Sequence, residues 1–559
     1  MPLKSPFPDL TIPEKNLISH VFPEHRQPST THQWVDANDP VHTLSSAQAL
    51  CWAKRFASGL DREQVSQQTT ILLISPNNIF LPAVFYGIVG SGRIFSGASP
   101  AYTVTELAHQ IKITSPRIIL VHPSILDRAL EAVEVVNSYK TRILQFSDKP
   151  NSTLRGVPDW RVILDSESNA ERYHWPDFPG QTSRKMIATL NFSSGTTGLP
   201  KGVAISHHNI IANLEQARFM LSLGRVATQN DRWIGFLPMY HAYGQLYYCL
   251  MCAHLNTPVY VVEKFEFRNL LCWIQDYRIT MLQLVPPADI IVSFTCEAIL
   301  KMLVDRPEPA EYDLSSVKDI LSGAAPLSQE LGDRVRKQFG VTILEGYGMS
   351  ELTCTAIQTP LLLAKNGTTS LGVLVPNTEC RLLSDNGVEV ADGEPGEIHI
   401  RGPQAFQGYW RNDQATQDTK KRDGWIKTGD IAVTRGDEFW IVDRKKELIK
   451  VNGLQVSPAE LEAVLGENEH IADVGVIGVG SARGEVPRAY VVLHDNSKDK
   501  VAENDISSWV EQRVARHKRL DGGVIIVDQI PRLASGKVER KTLRKWVKDD
   551  QTRGLSSKI

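Results

Sequence analysis

Apolar runs alternate with helix-like stretches over the first 380 residues, and this alternation constrains the fold more than any other feature. TTILLIS (69–75) and RIILVH (117–122) are short and apolar, whereas TELAHQIKI (105–113) has a helix-like spacing of apolar residues. TPVYVVE (257–263) and MLQLVPP (281–287) continue the pattern. Apolar strands that alternate with helices are typical of a parallel sheet covered on both faces. The sequence therefore predicts an α/β fold for this part of the chain.

The pattern changes twice towards the C-terminus. Residues 380–442 contain short alternating runs separated by Gly and Asp, such as GEIHIRG and EFWIVD, which are typical of a small β subdomain. After DRKKELIK (443–450) a compact pattern of helices and strands returns, including the helix-like SPAELEAVLGE and NDISSWVEQRVARH. A chain of 559 residues is longer than a single hydrophobic core usually accommodates, so two or more domains are expected. We predict an N-terminal domain of two α/β sheet subdomains plus the β subdomain (1–443) and an α+β C-terminal domain (444–559).

Composition excludes several classes of protein. The formal net charge of -2 gives no general attraction to nucleic acid or to an anionic membrane. We expect no transmembrane segment, because no apolar run reaches the roughly 18 residues that a membrane span needs. The N-terminus does not resemble a secretory signal peptide. Seven cysteines, an odd and sparse number, argue against a disulfide scaffold. Cys249 and Cys252 form a CxxC among apolar neighbours, which favours core packing over a metal or redox role.

The C-terminal tripeptide Ser557-Lys558-Ile559 differs by one aliphatic residue from the S-K-L address that directs proteins to peroxisomes. It predicts peroxisomal localisation through an import receptor. The alternative is a chance tail on a cytoplasmic protein.

NFSSGTTGLPKG (191–202) combines three glycines, four hydroxyl side chains and a lysine. It is not a Walker A loop, because Pro200 stands where that motif requires glycine. Glycines nevertheless let several N–H groups converge on an anion, and the hydroxyls and lysine suit phosphate oxygens. MIATLNF before the loop is strand-like and ISHHNIIANLEQA after it is helix-like. From its residues alone the loop is either a phosphate site or a flexible turn.

Eight stretches, in order, resemble the adenylate-forming superfamily of acyl- and aryl-CoA ligases, luciferases and peptide-synthetase adenylation domains. They span residues 190–545: SSGTTGLPKG, LPMYHAYG, SGAAPL, EGYGMSE, GEIHIRGP, GWIKTGD, DRKKELIKVNGLQVSPAELE and PRLASGKVERKTL. KFEF (264–267), VPP (285–287) and LQVSPAELE look most like 4-coumarate–CoA ligases and fungal relatives, some of them peroxisomal. The resemblance implies an acid–thiol ligase that uses ATP, Mg²⁺ and coenzyme A. It would form an acyl-adenylate, release pyrophosphate, and transfer the acyl group to coenzyme A.

The resemblance also implies a set of ATP-binding residues. The glycine-rich loop would hold the β- and γ-phosphates, Ser350 and Glu351 would serve the α-phosphate and Mg²⁺, and Asp430 with Arg444 would bind the ribose. Tyr347 would stack on adenine, with core packing as its alternative, and a solvated carboxylate is the alternative for Glu351. The complete set is Ser193, Ser194, Gly195, Thr196, Thr197, Gly198, Lys201, Gly323, Ala324, Ala325, Glu345, Gly346, Tyr347, Gly348, Ser350, Asp430, Arg444, Lys450 and Gln455.

Further residues are implied for catalysis and for coenzyme A. Lys537, in SGK, would bridge the carboxylate and the α-phosphate during adenylation. The C-terminal domain would then rotate about Lys446 for thioester formation. Lys264, Asn452 and Gly453 match coenzyme A positions, and plant ligases usually have lysine where this chain has Asn452.

The implied acyl pocket leaves the substrate open. It comprises His241, Tyr243, Ala324, Gly346, Cys354 and Thr355. His241 would orient the acid or gate the pocket, or else be a buried structural histidine. Plant ligases often have Pro-Val at Cys354-Thr355, so a strict 4-coumarate preference does not follow. We expect an aryl or arylalkyl acid, or a medium-chain fatty acid, and a monomer or homodimer.

Three alternatives belong to other functional classes. A carrier-protein ligase would use the same pantetheine thiol, and a luciferase-like oxygenase would share the motifs. A non-catalytic binding protein is disfavoured because Glu351, Asp430, Arg444 and Lys537 are all present.

Overall fold

The chain forms two compact units in the computed structural model. The model describes residues 2–193, 200–224, 230–284, 296–323, 327–365, 367–368, 370–445, 447–451, 454–481, 484–497, 500–532 and 538–552. Within these residues, the first unit comprises 2–284, 296–380 and 400–427, and the second comprises 381–399 and 428–552. Strands of the predicted β subdomain thus cluster with the C-terminal residues, whereas the domain boundary at 443/444 stays a prediction.

A seven-stranded sheet forms one layer of the first unit. Its order is β19-β9-β8-β5-β4-β6-β7. The strands are β4 (Thr70–Ile74), β5 (Ile94–Ala98), β6 (Ile118–Val121), β7 (Arg142–Gln145), β8 (Ile187–Ser193), β9 (Lys201–Ser206) and β19 (Gly408–Tyr409). Strands β4 to β8 pair in parallel, and β9 is antiparallel to β8 and β19. The parallel α/β prediction is confirmed, because TTILLIS and RIILVH form buried central strands.

A nine-stranded sheet forms the second layer of this unit, in the order β16-β15-β14-β13-β12-β10-β11-β2-β3. Its strands are β2 (His32–Asp36), β3 (Thr43–Ser45), β10 (Trp233–Gly235), β11 (Val259–Val261), β12 (Met281–Leu284), β13 (Asp319–Gly323), β14 (Thr342–Tyr347), β15 (Ile357–Gln358) and β16 (Val373–Leu374). The run from β14 to β2 is parallel, so these strands end at one edge. A short strand, β1 (Leu3–Lys4), pairs with Glu379–Cys380.

Helices surround these sheets, and side-chain caps define several of their starts. They are α1 (Leu17–Val21), α2 (Ser46–Arg62), α3 (Leu81–Gly90), α4 (Val104–Thr114), α5 (Leu126–Val135), α6 (Glu167–Glu171), α7 (Gln181–Lys185), α8 (His207–Ser222), α9 (Ala242–Gly244), α10 (Cys252–Leu255), α11 (Phe267–Tyr277), α12 (Cys296–Asp305), α13 (Gln329–Phe339), α14 (Leu361–Lys365) and α15 (Asp413–Thr419). Capping boxes at Ser45, Thr103 and Ser206 begin α2, α4 and α8. None of the described helices is long and apolar enough to cross a membrane.

The CxxC lies in a buried helical segment. A π-helical stretch (Gln245–Met251) joins α9 to α10 and contains Cys249. Both cysteines are fully buried, and the Cys252 thiol donates to the Tyr248 carbonyl oxygen at 2.9 Å. Burial raises the pKa of both thiols, since the thiolate would lack solvation. The core-packing interpretation fits this environment.

The second unit contains two sheets. The first includes β17 (Glu379–Leu383), β18 (Gly396–Arg401), β20 (Ile426–Arg435) and β21 (Glu438–Arg444), in that order. The second has β22 (Ile449–Val451), β23 (Leu454–Val456), β24 (Ile471–Ser481), β25 (Gly484–Leu493) and β26 (Val524–Ile526), with helices α16 (Pro458–Gly466), α17 (Glu503–Glu511) and α18 (Arg540–Thr552). One helix is shorter than predicted: NDISSWVEQRVARH forms α17 only to Glu511. Beyond the end of α17, Val514 packs on the same core as Val510. This packing replaces the further helical turn that the sequence predicted.

Candidate active site

The glycine-rich loop joins two antiparallel strands. Ser193, the last residue of β8, lies opposite Lys201, the first of β9. The sequence pattern predicted a strand, the loop and then a helix, but β9 intervenes before α8 begins at His207. The reason is that Val203, Ala204 and Ile205 form a short apolar run that is buried between β8 and β19. The predicted loop residues Ser194, Gly195, Thr196, Thr197 and Gly198 lie outside the described residues.

The Glu351 carboxylate forms the best-defined contact at this loop. Ser193 Oγ donates to Glu351 Oε1 at 2.9 Å, and the Tyr409 hydroxyl donates to the same oxygen at 2.7 Å. The Phe406 backbone N–H donates to the Glu351 carbonyl oxygen at 2.9 Å. The glutamate is only 4% exposed, which excludes the solvated alternative. An ionised carboxylate offers about four acceptor sites, so it fits a hard cation such as Mg²⁺ while keeping both hydroxyl donors.

Sequence reasoning missed Tyr409. It lies on β19, directly opposite Val203 of β9, and the ring is 4.8 Å from Lys201 Nζ, within cation–π range. Burial first, and then the neighbouring Glu351 carboxylate, raise the pKa of Tyr409 well above its usual value, so the hydroxyl stays a donor. Nothing in FQGYW marks this tyrosine, because the pairing of β19 with β9 is a long-range contact.

The SGAAPL and EGYGMSE segments lie side by side. Gly323 of β13 is in register with Gly346 of β14, and Ser322 with Glu345. Ligands of α/β sheets collect at this carboxyl edge. A Cβ at Gly348 would lie 1.5 Å from the Cys354 carbonyl oxygen, so only glycine fits there. Tyr347 pairs with Ile357 and is partly exposed, and Ser350 begins a short 3-10 turn that contains Glu351. Ala324 and Ala325 lie outside the described residues.

Glu345 is a buried carboxyl at the end of β14. It is 5% exposed, and burial raises its pKa from 4.5 to about 8, with Arg336 offsetting part of the effect. The carboxyl is therefore mainly neutral at pH 7. The EGYGMSE motif assigned Glu345 to the nucleotide site. Nothing in the sequence indicates that the pKa of this carboxyl is raised.

The predicted acyl-binding residues include a tyrosine, Tyr243, and a thiol, Cys354, and a second ring that was not predicted, Tyr247, packs on Tyr243. Tyr243 stacks on Tyr247 with ring centroids 4.4 Å apart and an angle of 21°. Burial, with Cys354 nearby, raises the pKa of Tyr247, and burial raises that of the Cys354 thiol to about 12. Thr355 is anchored by Asn213, which exchanges hydrogen bonds of 2.9 and 2.7 Å with the Thr355 backbone. A flat aromatic surface thus adjoins a neutral thiol.

The segment before His241 is held by buried amides. Asn77 donates to the Leu237 carbonyl oxygen at 2.9 Å and accepts from the Met239 N–H at 2.8 Å. A Cβ at Gly244 would lie 2.2 Å from the Pro238 carbonyl oxygen, so the turn requires glycine. His241 precedes α9 and is half-buried. Its role as pocket wall stays a prediction.

In the second unit, Asp430 and Arg444 face each other on β20 and β21. Their Oδ1 and Nε atoms are 3.2 Å apart, and the Asp430 side chain is largely buried. A fixed carboxylate of this kind suits a ribose diol. Lys450 and Gln455 are opposite each other on β22 and β23. Lys446, Asn452, Gly453 and Lys537 lie outside the described residues, and Lys264, in the first unit, is exposed after β11.

Comparison with known proteins agrees with this geometry. The family model described as AMP-binding enzyme matches residues 24–410, and the AMP-binding enzyme C-terminal domain matches 460–537. The chain is 33% identical to probable 4-coumarate–CoA ligase 2 of Dictyostelium discoideum over 97% of each chain. It is 32% identical to phenylacetyl-CoA ligase epaB of Aspergillus niger, over 96% of this chain and 97% of the relative. The fold resembles ATP-bound MatB from Rhodopseudomonas palustris, with a TM-score of 0.81, 23% identity and coverage of 96% and 99%.

Proposed function

The chain belongs to the AMP-binding enzyme family, and we propose that it is an ATP-dependent carboxylic acid–CoA ligase. Relatives named 4-coumarate–CoA ligase and phenylacetyl-CoA ligase, similar over nearly the whole chain, support this activity. The main structural support is a hydrogen bond at the start of the glycine-rich loop, where Ser193 Oγ donates to the buried Glu351 carboxylate. This contact ties the phosphate-binding loop to the residue best suited to a divalent cation.

In the first step a substrate carboxylate oxygen attacks the α-phosphorus of ATP. The bond from that phosphorus to the bridging oxygen breaks, and pyrophosphate leaves with the electron pair. Lys201 and the loop offset charge on the pyrophosphate, and Lys537 offsets charge at the α-phosphate. Glu351 would hold Mg²⁺, which supplies charge neutralisation at the phosphates.

In the second step the coenzyme A thiolate attacks the acyl carbon of the mixed anhydride. The bond from that carbon to the phosphate oxygen breaks, and AMP leaves with the electron pair while a thioester forms. AMP is a workable leaving group, unlike the oxide that a free carboxylate would have to expel. Asp430 and Arg444 would retain the ribose of the nucleotide.

The substrate class is an aryl or arylalkyl acid, such as a 4-coumarate-like or phenylacetate-like acid. The stacked Tyr243 and Tyr247 rings support this choice over a medium-chain fatty acid, because a flat ring packs well on an aromatic face. Pocket contacts discriminate weakly among apolar acids, at about 1–3 kcal/mol per methylene group. The choice therefore depends on the shape of the pocket more than on any single residue.

The decisive experiment measures acid-dependent release of pyrophosphate from Mg-ATP with aryl acids and medium-chain fatty acids, with and without coenzyme A. We expect release with aryl acids, acceleration by coenzyme A, and accumulation of AMP and an aryl-CoA. Adenylate formation at the same rate with and without coenzyme A would instead indicate a carrier-protein ligase. Light emission with a luciferin would indicate an oxygenase. The absence of release with every acid would contradict the proposal.

For localisation we propose import into peroxisomes through Ser557-Lys558-Ile559, which lie outside the described residues. The similarity of SKI to the SKL address supports this. A fluorescent protein fused in front of the full chain should reach peroxisomes, and removal of the last three residues should leave it in the cytoplasm. Equal distribution of both fusions would contradict it.

A further inference from the structure

A mixed cluster of imidazole and carboxylate groups lies in the first unit, and none of its residues is among those assigned to ATP. It consists of Asp36, His42 and Asp148, and one donor atom from each lies within 4.8 Å of the others. Asp36 ends β2 in the nine-stranded sheet, whereas Asp148 follows β7 in the seven-stranded sheet. The cluster therefore brings together the carboxyl ends of strands from both layers, where α/β folds place ligands.

The loop between Asp36 and His42 is fixed by its own hydrogen bonds. The Asn38 N–H donates to Asp36 Oδ1 at 2.8 Å. The His42 N–H donates to the Asp39 carbonyl oxygen at 2.8 Å, and the Asp36 N–H donates to the His42 carbonyl oxygen at 3.0 Å. These bonds hold the two side chains together and leave Asp36 Oδ2 turned towards the ring, 4.0 Å from His42 Nδ1.

The His42 ring directs a buried nitrogen towards the carboxylates of the cluster. Its Nδ1 atom is buried and has no hydrogen-bond partner within the part of the chain that the structure describes. The atom lies 3.3 Å from Asp148 Oδ2. Tetrahedral Zn²⁺ with bonds of about 2.1 Å separates its ligand atoms by about 3.4 Å, so this pair already has the spacing of two ligands. Small side-chain rotations would bring Asp36 to the same distance.

The same place contains a polar cavity. Asp36 and Asp148 line a space of about 30 Å³ together with His122, Glu263 and Asn78. One water needs only about 10–15 Å³, so the cavity has room for a cation and a water ligand. No lysine or arginine lines it among the described residues, although three carboxylates do. A divalent cation would neutralise this charge.

We propose that Asp36, His42 and Asp148 bind a divalent cation of the zinc class. Imidazole nitrogen favours Zn²⁺ over Mg²⁺, and three protein ligands leave a position for water in the cavity. The bound ion would link the end of β2 to the segment after β7 and so stabilise the contact of the two sheets. The site shares no residue with the Mg²⁺ position assigned to Glu351.

The test uses the full-length, untagged protein after removal of metals with a chelator. Zn²⁺ binding is measured by equilibrium dialysis with elemental analysis, and Co²⁺ is used as a spectroscopic probe. We expect one Zn²⁺ per chain, a visible d–d absorption with Co²⁺ that reports imidazole ligation, and a higher melting temperature with Zn²⁺. His42→Ala and Asp148→Asn should each weaken binding at least about tenfold and abolish the thermal shift.

His25→Ala is the matched control, because it removes an exposed imidazole from the same unit. It should bind Zn²⁺ and Co²⁺ as the unmodified chain does. Equal loss in this control, or binding that survives in a folded His42→Ala/Asp148→Asn double variant, would overturn the assignment. Saturation by Mg²⁺ with no response to Zn²⁺ would also overturn it, and so would the failure of either ion to bind.

Discussion

At the scale of single residues, two hydroxyl groups orient the Glu351 carboxylate. Glu351 Oε1 accepts two hydroxyl hydrogen bonds, and one of the donors, Tyr409, also lies beneath Lys201. The tyrosine therefore orients the carboxylate and packs against the cation that serves the phosphates. The sequence motifs identified Ser193, Lys201 and Glu351 but gave no role to the ring between them.

Tyr409→Phe separates these two functions. It keeps the ring below Lys201 and removes one hydrogen bond to a carboxylate, an interaction worth roughly 1.5–3 kcal/mol. We expect ATP–pyrophosphate exchange to fall at least about tenfold, with a higher Mg-ATP requirement. Tyr139→Phe, which removes the hydroxyl of an exposed tyrosine, is the control. Unchanged exchange in Tyr409→Phe would show that Ser193 alone positions Glu351.

Glu345 leads to a prediction about pH. Its pKa of about 8 in the folded chain exceeds the ordinary 4.5 because burial penalises the carboxylate. Between these two pKa values the folded state holds a proton that the unfolded state has released. The contribution of Glu345 to stability is therefore fully present below about 4.5 and is lost as pH rises towards 8. Each pKa unit corresponds to about 1.4 kcal/mol, so ionisation of Glu345 lowers the free energy of unfolding by a few kcal/mol across this pH range.

Glu345→Gln should remove this pH dependence, because the amide stays neutral at every pH. Melting temperatures measured from pH 5 to pH 8 should fall less steeply in the variant than in the unmodified chain, with the variant the more stable at pH 8. Glu330→Gln, at an exposed position on α13, is the matched control and should leave the slope unchanged. Parallel slopes in all three proteins would contradict the raised pKa.

At the scale of elements, the sequence predicted the central strands well. TTILLIS, RIILVH and MIATLNF are short apolar runs that are buried on both faces, so their pattern alone indicates parallel strands. β9 and the end of α17 were not predicted, because each depends on a distant partner: β19 for β9, and the core around Val510 for α17. The role of Tyr409 and the raised pKa of Glu345 were not predicted either, because both also depend on residues that are distant in sequence.

In the second unit, a largely buried ion pair joins α18 to α16. Arg540 forms a two-point contact with Glu462 at 2.7 and 2.8 Å, and Glu462 also accepts from the Val476 N–H. Burial raises the pKa of Glu462 to about 7 despite this arginine. Removal of one partner from such a pair commonly costs about 3–5 kcal/mol, because it leaves the other charge buried alone.

Arg540→Ala should therefore lower the melting temperature of the second unit and increase hydrogen exchange along β24. Arg544→Ala is the matched control on the same helix, since that arginine is partly exposed and pairs with Glu447 at 3.2 Å. An exposed pair contributes about 0–1 kcal/mol. Similar effects of the two substitutions would mean that Glu462 is neutral and gains little from Arg540.

At the scale of the whole molecule, the proposed reaction separates into two half-reactions that need different residues. The resemblance assigns Lys537 to adenylation and Gly453 to the passage of pantetheine, and both lie outside the described residues. Lys537→Ala should reduce adenylate formation from acid and ATP at least about a hundredfold, since it removes a positive charge from the transition state. It should leave thioester formation from a supplied acyl-adenylate largely intact.

Gly453→Trp should do the reverse, because a bulky side chain would block a thin chain that passes close to the backbone. Each half-reaction is measured separately, by ATP–pyrophosphate exchange and by coenzyme A acylation from the synthetic adenylate. Lys541→Ala, an exposed lysine four residues beyond Lys537, controls for loss of charge. Opposite defects in the two variants require separate residue sets for the two steps of one enzyme. Equal loss of both steps in Lys537→Ala would instead make that lysine a general structural support.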